Sequence, residues 1–353
     1  MKIAIDCRLI GSSGIGTFIE NVVNYMVKYA DHSYVLIGNP DYLATYRYHS
    51  HCQIITCTYR SFSLKELLFF PVGIINQCDA FYTPNFNVPL GIHVPIYSTI
   101  HDIVMLDTEH FNNRLKRFIT KLYLRHALYI SNTVFTVSKF SQERIRSTFK
   151  TNTSIKVVPN GISNELRTYA NNHLETTWRK GIVFLGNLKK HRGLSTLIQA
   201  FDLLVRNGLA KQLTVIGRFD FRTKDKDIIK VLKTHHEHIR FVSNASNSDV
   251  FHMVSEAELL VSPSLYEGFG IPPLEAMYLG TPVIISNIPA YQEIYRDLPV
   301  TFFKAGDAKD LFEKIRDHSP HALHIRGKID KLYNYQMAAK RIIDAIYEQR
   351  HPQ

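Results

Sequence analysis

What the 353 residues lack bounds the problem first. Cysteine is scarce: Cys7, Cys52, Cys57 and Cys78 all fall in the first quarter of the chain, and no two form a Cys-x-x-Cys pair. No second cluster stands ready to complete a zinc site, so reduced thiols in a cytoplasmic protein are expected, not a disulfide framework. Nowhere do roughly eighteen apolar residues run together, which excludes a bilayer-spanning helix. The start, Met1-Lys2-Ile3-Ala4-Ile5-Asp6, has no charged-then-apolar leader and reads as a first strand, so a secreted protein is not expected. Repeats and low-complexity tracts are missing too. Apolar residues make up 45% of the chain and charged residues 21%, a balance that excludes disorder and leaves enough core for about two domains.

Acid is scarce in one stretch above all. Between Asn112 and Lys156 ten lysines or arginines face a single acid, Glu143, so these 45 residues hold nine of the eleven net positive charges. Such a face suits a partner bearing phosphate: nucleotide, nucleic acid or an anionic membrane. On a helix from Asn112 to Ile130, Arg114, Arg117, Lys121 and Arg125 fall within roughly 80° of one another. Phe118 and Leu122 flank that stripe, as an interfacial helix requires, and the apolar segment Leu64–Ile75 offers a second contact. The competing reading puts Phe118 and Leu122 in the core and leaves the cations as a solvated face.

Short β-branched runs alternate with helical patterns along nearly the whole chain, which predicts parallel sheets covered by helices. The strands expected are Lys2–Asp6, Tyr34–Gly38, Gln53–Thr56, Ala80–Thr83, Ile96–Ile100 and Thr133–Val137. After a polar stretch, 163–177, read as a linker, come Ile182–Leu185, Leu213–Ile216, Ile239–Val242, Leu259–Val261, Pro282–Ile285 and Val300–Phe303. This is an α/β chain of two Rossmann-like, doubly wound domains: 1–170, 171–330, and a last helical stripe over 331–353 that packs back toward the first. Ligands of such sheets bind outside the carboxyl ends of the strands, so a site is expected in a cleft between the domains.

Four fragments carry chemistry. Gly11-Ser12-Ser13-Gly14-Ile15-Gly16 follows the first strand, where glycines and a helix start favour an anion, but the spacing does not fit a dinucleotide fingerprint; a plain tight turn reads equally well. His101-Asp102 ends an apolar strand, and its imidazole suits a substrate hydroxyl or acid–base work. The run 184–193 gathers Lys189, Lys190 and Arg192 before a helix start, where cations make sense if a doubly charged anion is to sit there. In Ser264–Ala276, Glu267 and Glu275 stand eight apart across Gly268, Phe269, Gly270 and Ile271. Carboxylates accept paired hydrogen bonds from vicinal hydroxyls, and the exposed amides with a helix start, Glu275 in its opening turn, serve a phosphate. His235-His236-Glu237-His238 lacks a supporting cluster and reads as a solvated turn; no metal site is expected.

Together these residues resemble the retaining glycosyltransferases of family 4, which have the GT-B fold, and within them most nearly the bacterial mannosyltransferase branch. The resemblance rests on Gly14-Ile15-Gly16, His101-Asp102, Val137–Ser141, Val158–Ile162, the Gly186–Gly193 loop, Glu267-Gly268-Phe269-Gly270 with Glu275, Gly280–Ile284 and Glu293. It implies that Glu275 holds ribose hydroxyls of a nucleotide sugar and Glu267 the donated sugar. Gly268 through Ile271 would give amides to sugar and phosphate, and Arg192, with Lys190 or Lys189, would grip the diphosphate. His101 would contact the donor sugar near the reacting carbon, while Gly14, Ile15, Gly16 and Asp102 would lie toward phosphate and acceptor. Two departures from the family pattern are His191, where an arginine is usual, and Asn187.

The expected function is transfer of a hexose, first of all mannose from GDP-mannose, to a glycan or lipid-linked saccharide in surface polysaccharide synthesis. No cofactor or metal is expected, and the place of action is the cytoplasm, peripheral on the inner face of the membrane. The alternatives are a GT-B sugar-nucleotide epimerase and a basic nucleic-acid-binding protein. Glu267 and Glu275, which would repel a phosphate backbone, speak against nucleic acid.

Overall fold

The structure is a computed structural model that describes residues 1–12, 14–61, 63–108, 113–173, 179–209, 211–217, 237–319 and 321–350. It divides into two compact units, Met1–Ser163 with the chain from Asn334 onward, and Asn164–Tyr333. The divisions lie at 163/164 and 333/334, not at the expected 170/171 and 330/331. The reason is local. The polar stretch read as a linker forms a helix, Asn164–Asn172, whose Leu166, Tyr169 and Ala170 are buried. Residues 174–177 of that stretch lie outside the described residues.

The first unit holds seven strands: β1 (Lys2–Asp6), β2 (Ser33–Gly38), β3 (Cys52–Thr56), β4 (Ala80–Thr83), β5 (Ile96–Thr99), β6 (Thr133–Thr136) and β7 (Ile155–Val157). Every pairing is parallel and the order is β3-β2-β1-β4-β5-β6-β7. Side chains alternate across the sheet with the period of two that a strand imposes. Ile3, Ile5, Tyr34, Leu36 and Tyr82 enter one core, with Phe18, Val22 and Met26 of helix Gly14–Met26 and Ile342 and Ile346 of helix Tyr335–Arg350. Ala4, Val35, Ile37 and Phe81 enter the other, with Phe70, Ile75 and Ala127. Strands apolar on both faces belong to a sheet covered on both faces, which explains why they read as near-continuous apolar runs.

The last helix closes the first core. Tyr335 meets the Phe18 ring edge-on at 6.0 Å, and the Tyr97 hydroxyl donates to the Ile346 carbonyl at 3.4 Å. Gly161 is what lets the chain return: a methyl group there would stand 2.7 Å from the Tyr335 nitrogen and 2.9 Å from the Asn334 α-carbon.

The second unit repeats the plan with β8 (Ile182–Leu185), β9 (Leu213–Ile216), β10 (Ile239–Val242), β11 (Leu259–Ser262), β12 (Val283–Ser286) and β13 (Thr301–Phe303), in the order β10-β9-β8-β11-β12-β13. Its pairings are parallel throughout. Ile182, Phe184, Leu259 and Val261 pack beneath Leu197, Phe201 and Leu204 of helix Leu194–Arg206 and beneath Leu311 and Ile315 of helix Ala308–Arg316. The four cysteines are free thiols, and among the described residues no helix is long and apolar enough to cross a membrane.

The close approach at Gly161 yields a test. Gly161→Ala should destabilise the first unit by about 1–3 kcal/mol, the usual cost of overpacking, because rigid backbone must move. Urea unfolding of the variant measures it, and an unchanged midpoint would contradict the packing described.

Candidate functional site

Each sheet reverses its strand order at one point, between β1 and β4 in the first unit and between β8 and β11 in the second. Loops leaving the carboxyl ends of the two strands diverge there and leave a crevice. The residues singled out by sequence fall on those loops or beside them.

In the second unit the loop after β8 makes a single 3-10 turn, Lys190–Arg192, and Gly193 turns the chain into helix Leu194–Arg206. Gly193 has φ of +66°, and any side chain there would be driven into the Pro263 carbonyl on the loop after β11. The Leu265 amide donates to the His191 carbonyl at 2.7 Å, tying the same two loops. A third tie is ionic. The Arg192 guanidinium donates to Oε1 of Glu267, which also accepts the Ser264 hydroxyl at 2.8 Å and the Tyr291 hydroxyl at 3.5 Å. Glu267 is buried, and Arg192 keeps about a quarter of its side chain in contact with solvent. Arg192 is therefore engaged with a carboxylate, while Lys189 and Lys190 are exposed.

Beyond Glu267 the residues Gly268, Phe269 and Gly270 are buried and lead into helix Ile271–Tyr278, with Pro272 and Pro273 in its first turn. Glu275 is the fifth residue of that helix, so it stands in the second turn and not in the opening one. Its carboxyl is pushed up to about 7 by burial, with the charge of Glu165 adding to the effect. Residues that sequence reasoning missed hold this loop. Tyr295 donates its hydroxyl to the Gly270 carbonyl, and Tyr291 shares a 2.7 Å hydrogen bond with the Ser262 hydroxyl. Both are fully buried on helix Pro289–Tyr295, and their spacing of four on a short helix after a proline was the available signal.

In the first unit His101 lies just past β5. Its Nε2 is 3.2 Å from the Pro84 carbonyl, which follows β4, and Phe18 meets the imidazole edge-on at 4.9 Å. A carbonyl only accepts, so Nε2 carries the proton and Nδ1 is left as an acceptor. Burial pushes the imidazole down to about 4 against the opposing effect of the Pro84 hydrogen bond, so it is neutral at pH 7. Phe18 belongs to the helix opened by Gly14, Ile15 and Gly16, so this loop and His101 come together; Ser13 lies outside the described residues. The Asp102 carboxylate accepts the Val104 amide at 3.0 Å.

Other fragments of the pattern serve the fold. Ser138 caps helix Lys139–Phe149 by accepting the Ser141 amide at 3.0 Å, and Thr281 donates to the Val254 carbonyl at 2.7 Å. Arg8 is a structural cation, its guanidinium paired with Asp6 at 2.7 Å and Glu66 at 2.5 Å. Of the histidine run, His235 and His236 lie outside the described residues. Among the described residues no group of three or more His, Cys, Asp or Glu is placed to hold a metal ion.

Two family models tile this chain. "Glycosyltransferase Family 4" matches residues 12–166 and "Glycosyl transferases group 1" matches residues 168–319. The chain belongs to glycosyltransferase family 4. It is 25% identical over 230 residues to O-antigen chain mannosyltransferase B of Escherichia coli, covering 62% of this chain and 59% of the relative. It is 26% identical over 255 residues to a capsular polysaccharide biosynthesis glycosyltransferase of Staphylococcus aureus, covering 69% and 63%. The alignments thus span about three-fifths of the length of these curated relatives. Among solved structures, the Anabaena protein HepE in complex with UDP and glucose superposes with a TM-score of 0.71 at 16% identity, over 98% of this chain and 99% of that one. That likeness shows the fold of this family 4 member, GT-B.

Glu275 makes the site testable without a substrate. A carboxyl whose pKa rises from the ordinary 4.5 to about 7 on folding contributes stability that is fully present below about 4.5 and lost as pH climbs through about 7. Glu275→Gln is neutral throughout and escapes that loss. The variant should differ from the wild type by a constant at pH below about 4 and gain on it by about 1–3 kcal/mol by pH 8, allowing for partial solvent contact. A difference that does not change with pH, read from urea unfolding, would remove the assignment.

Proposed function

We propose that this chain is a retaining glycosyltransferase that moves a hexose from a nucleoside diphosphate sugar to a glycan or lipid-linked saccharide acceptor in polysaccharide synthesis. The observation that carries the reading is the pair Glu267 and Glu275, set on either side of a buried glycine-rich loop at the strand-order reversal of the second sheet. It falls within the segment that matches the group 1 glycosyl transferases.

In this reading Glu275 accepts hydrogen bonds from ribose hydroxyls, and Glu267 from the donated sugar. Amides of Gly268 through Ile271, with Arg192 and Lys190, balance the diphosphate. The anomeric C–O bond to the diphosphate breaks, a bond from the same carbon to the acceptor oxygen forms on the same face, and the acceptor's proton passes to the departing phosphate oxygen. His101, neutral at pH 7, suits a hydrogen bond to a hydroxyl and not the role of base. The first unit takes the acceptor. GDP-mannose is the donor we put first, in line with the name of the E. coli relative; UDP-glucose is second, in line with the ligands of HepE. Cationic side chains and a helix start do the work of a divalent ion here, so activity should survive EDTA.

Incubation with a panel of nucleotide sugars tests the reading. Release of nucleoside diphosphate with sugar joined to an acceptor supports it, whereas epimerised sugar without transfer would replace it by the epimerase reading. NMR of the product should show the donor's anomeric configuration, and an inverted product would overturn retention. Glu275→Gln should weaken binding of free nucleoside diphosphate about tenfold or more, the worth of a hydrogen bond to a charged group. Glu267→Gln should slow transfer by about 10²–10³ while nucleotide affinity stays within about threefold, because its contact strengthens as charge develops on the sugar. Equal loss of nucleotide affinity in both variants would contradict this division of roles.

A further inference from the structure

Helix Arg114–Ile130 carries apolar side chains on two opposite faces. Leu124, Ala127 and Leu128 are buried, while Leu115, Phe118, Ile119, Leu122 and Tyr129 are exposed, Phe118 at 60% and Tyr129 at 90%. At about 100° per residue the five exposed side chains fall within about 100° of one another, opposite the buried three. Arg114, Lys121 and Arg125 lie within about 40° along one border of that ridge, and Lys116 lies on the other. All four are exposed, and the helix contains no acid. Arg117, expected in the basic stripe, turns inward and donates to the Leu106 carbonyl at 2.7 Å and the Thr108 carbonyl at 3.1 Å. Phe118 and Leu122 are thus not core residues. On helix Leu64–Phe69, Leu68 and Phe69 are exposed as well. Phe70, next to them, shares one apolar core with Ala127, so both helices cover the same face of the sheet.

We propose that this face of the first unit docks on an anionic lipid bilayer, with Leu115, Phe118, Leu122 and Tyr129 entering the headgroup boundary and Arg114, Lys116, Lys121 and Arg125 meeting acidic headgroups. The occupant follows from the pattern. An apolar ridge bordered by cations on both sides is what an interfacial helix presents, and the long basic side chains reach sideways to the headgroups while the ridge sinks between them. Tyrosine, with an apolar ring and a wet hydroxyl, belongs at that depth. The four exposed cations on a helix without an acid match acidic lipid and would repel a cationic surface. The inference rests on the first unit alone and on no reading of the reaction.

Co-sedimentation of the full chain with vesicles tests it, using pure phosphatidylcholine and phosphatidylcholine with about a third phosphatidylglycerol. Binding should be at least tenfold stronger to the acidic vesicles. It should fall tenfold or more both in Leu115→Ser/Phe118→Ser/Leu122→Ser and in Arg114→Glu/Lys121→Glu/Arg125→Glu, with circular dichroism confirming that each is folded. A control of equal charge change in the second unit, Lys309→Glu/Lys314→Glu/Lys331→Glu, should bind within about twofold of the wild type. Equal recovery in the supernatant with both lipids at low salt would overturn the proposal, as would equal loss in the control. Full binding by the serine variant would overturn insertion of the ridge. A lipid-free dimer that the serine variant abolishes would assign the face to a second copy of the chain instead.

Discussion

The reversal of strand order in each parallel sheet is the constraint on which the rest depends. Right-handed crossovers laid in one direction put their helices on one face, so a chain that has laid β1, β2 and β3 covers the other face by returning past β1 to lay β4. The loops leaving the two strands at the reversal then run apart. The void between them is geometric, independent of what fills it. In the second unit it is braced by the Arg192–Glu267 pair, by the Leu265–His191 backbone bond and by the approach of Gly193 to Pro263. In the first, His101 bonds to Pro84 across the ends of β5 and β4, next to the helix that follows β1.

The ion pairs of the two units differ in kind. Arg8 is enclosed with Asp6 and Glu66, about 3% of its side chain in contact with solvent, and its carboxylates are satisfied within the fold. A buried triad of this sort is costly to break but offers no group to a ligand. Arg192 retains solvent contact, and its partner Glu267 sits on a loop whose backbone is held by Tyr295 and whose carboxylate is held by Ser264 and Tyr291. A cation and a carboxylate side by side at the mouth of a crevice can exchange their mutual contact for a phosphate and a hydroxyl at little electrostatic cost. Arg8 is therefore architecture, whereas in the Arg192–Glu267 pair the cation keeps contact with solvent.

How much of this was legible follows from the physics of each element. Short runs rich in β-branched and other apolar residues announce strands, so β1, β4, β8, β9 and β10 stand where the pattern put them, residue for residue, even though β10 is a partly exposed edge strand. The strand Ile155–Val157 did not, since the exposed Lys156 separates its only two apolar residues and leaves no apolar run to read. Helix Asn164–Asn172 hid because its buried Leu166, Tyr169 and Ala170 are set among asparagines and charges. Helix Arg114–Ile130 was found, but which apolar residues face inward was not decidable. Its buried Leu124, Ala127 and Leu128 and its exposed Leu115, Phe118, Ile119, Leu122 and Tyr129 lie on opposite faces, so the sequence offers two apolar stripes and no means of choosing between them. Glu267 and Glu275 were legible as a pair because their chemistry is carried by spacing. Tyr291 and Tyr295 were not, because a buried tyrosine looks the same whether it supports a core or a loop.

Glu275 shows why the second crevice is more than a packing by-product. Its carboxyl is largely withdrawn from water and shares its surroundings with the charge of Glu165, and both effects favour the protonated form. A leucine or glutamine at this point of helix Ile271–Tyr278 would spare the fold that penalty at neutral pH. Among the described residues no hydrogen bond to the Glu275 carboxylate offsets it. A pair of vicinal hydroxyls would: each donates to the charged form, lowers its pKa and returns as binding energy what the empty site loses in stability. The same exchange couples occupancy to proton release near pH 7. A carboxyl that costs the fold stability and would be relieved by hydroxyl donors is what the proposed role of Glu275 toward the donor requires.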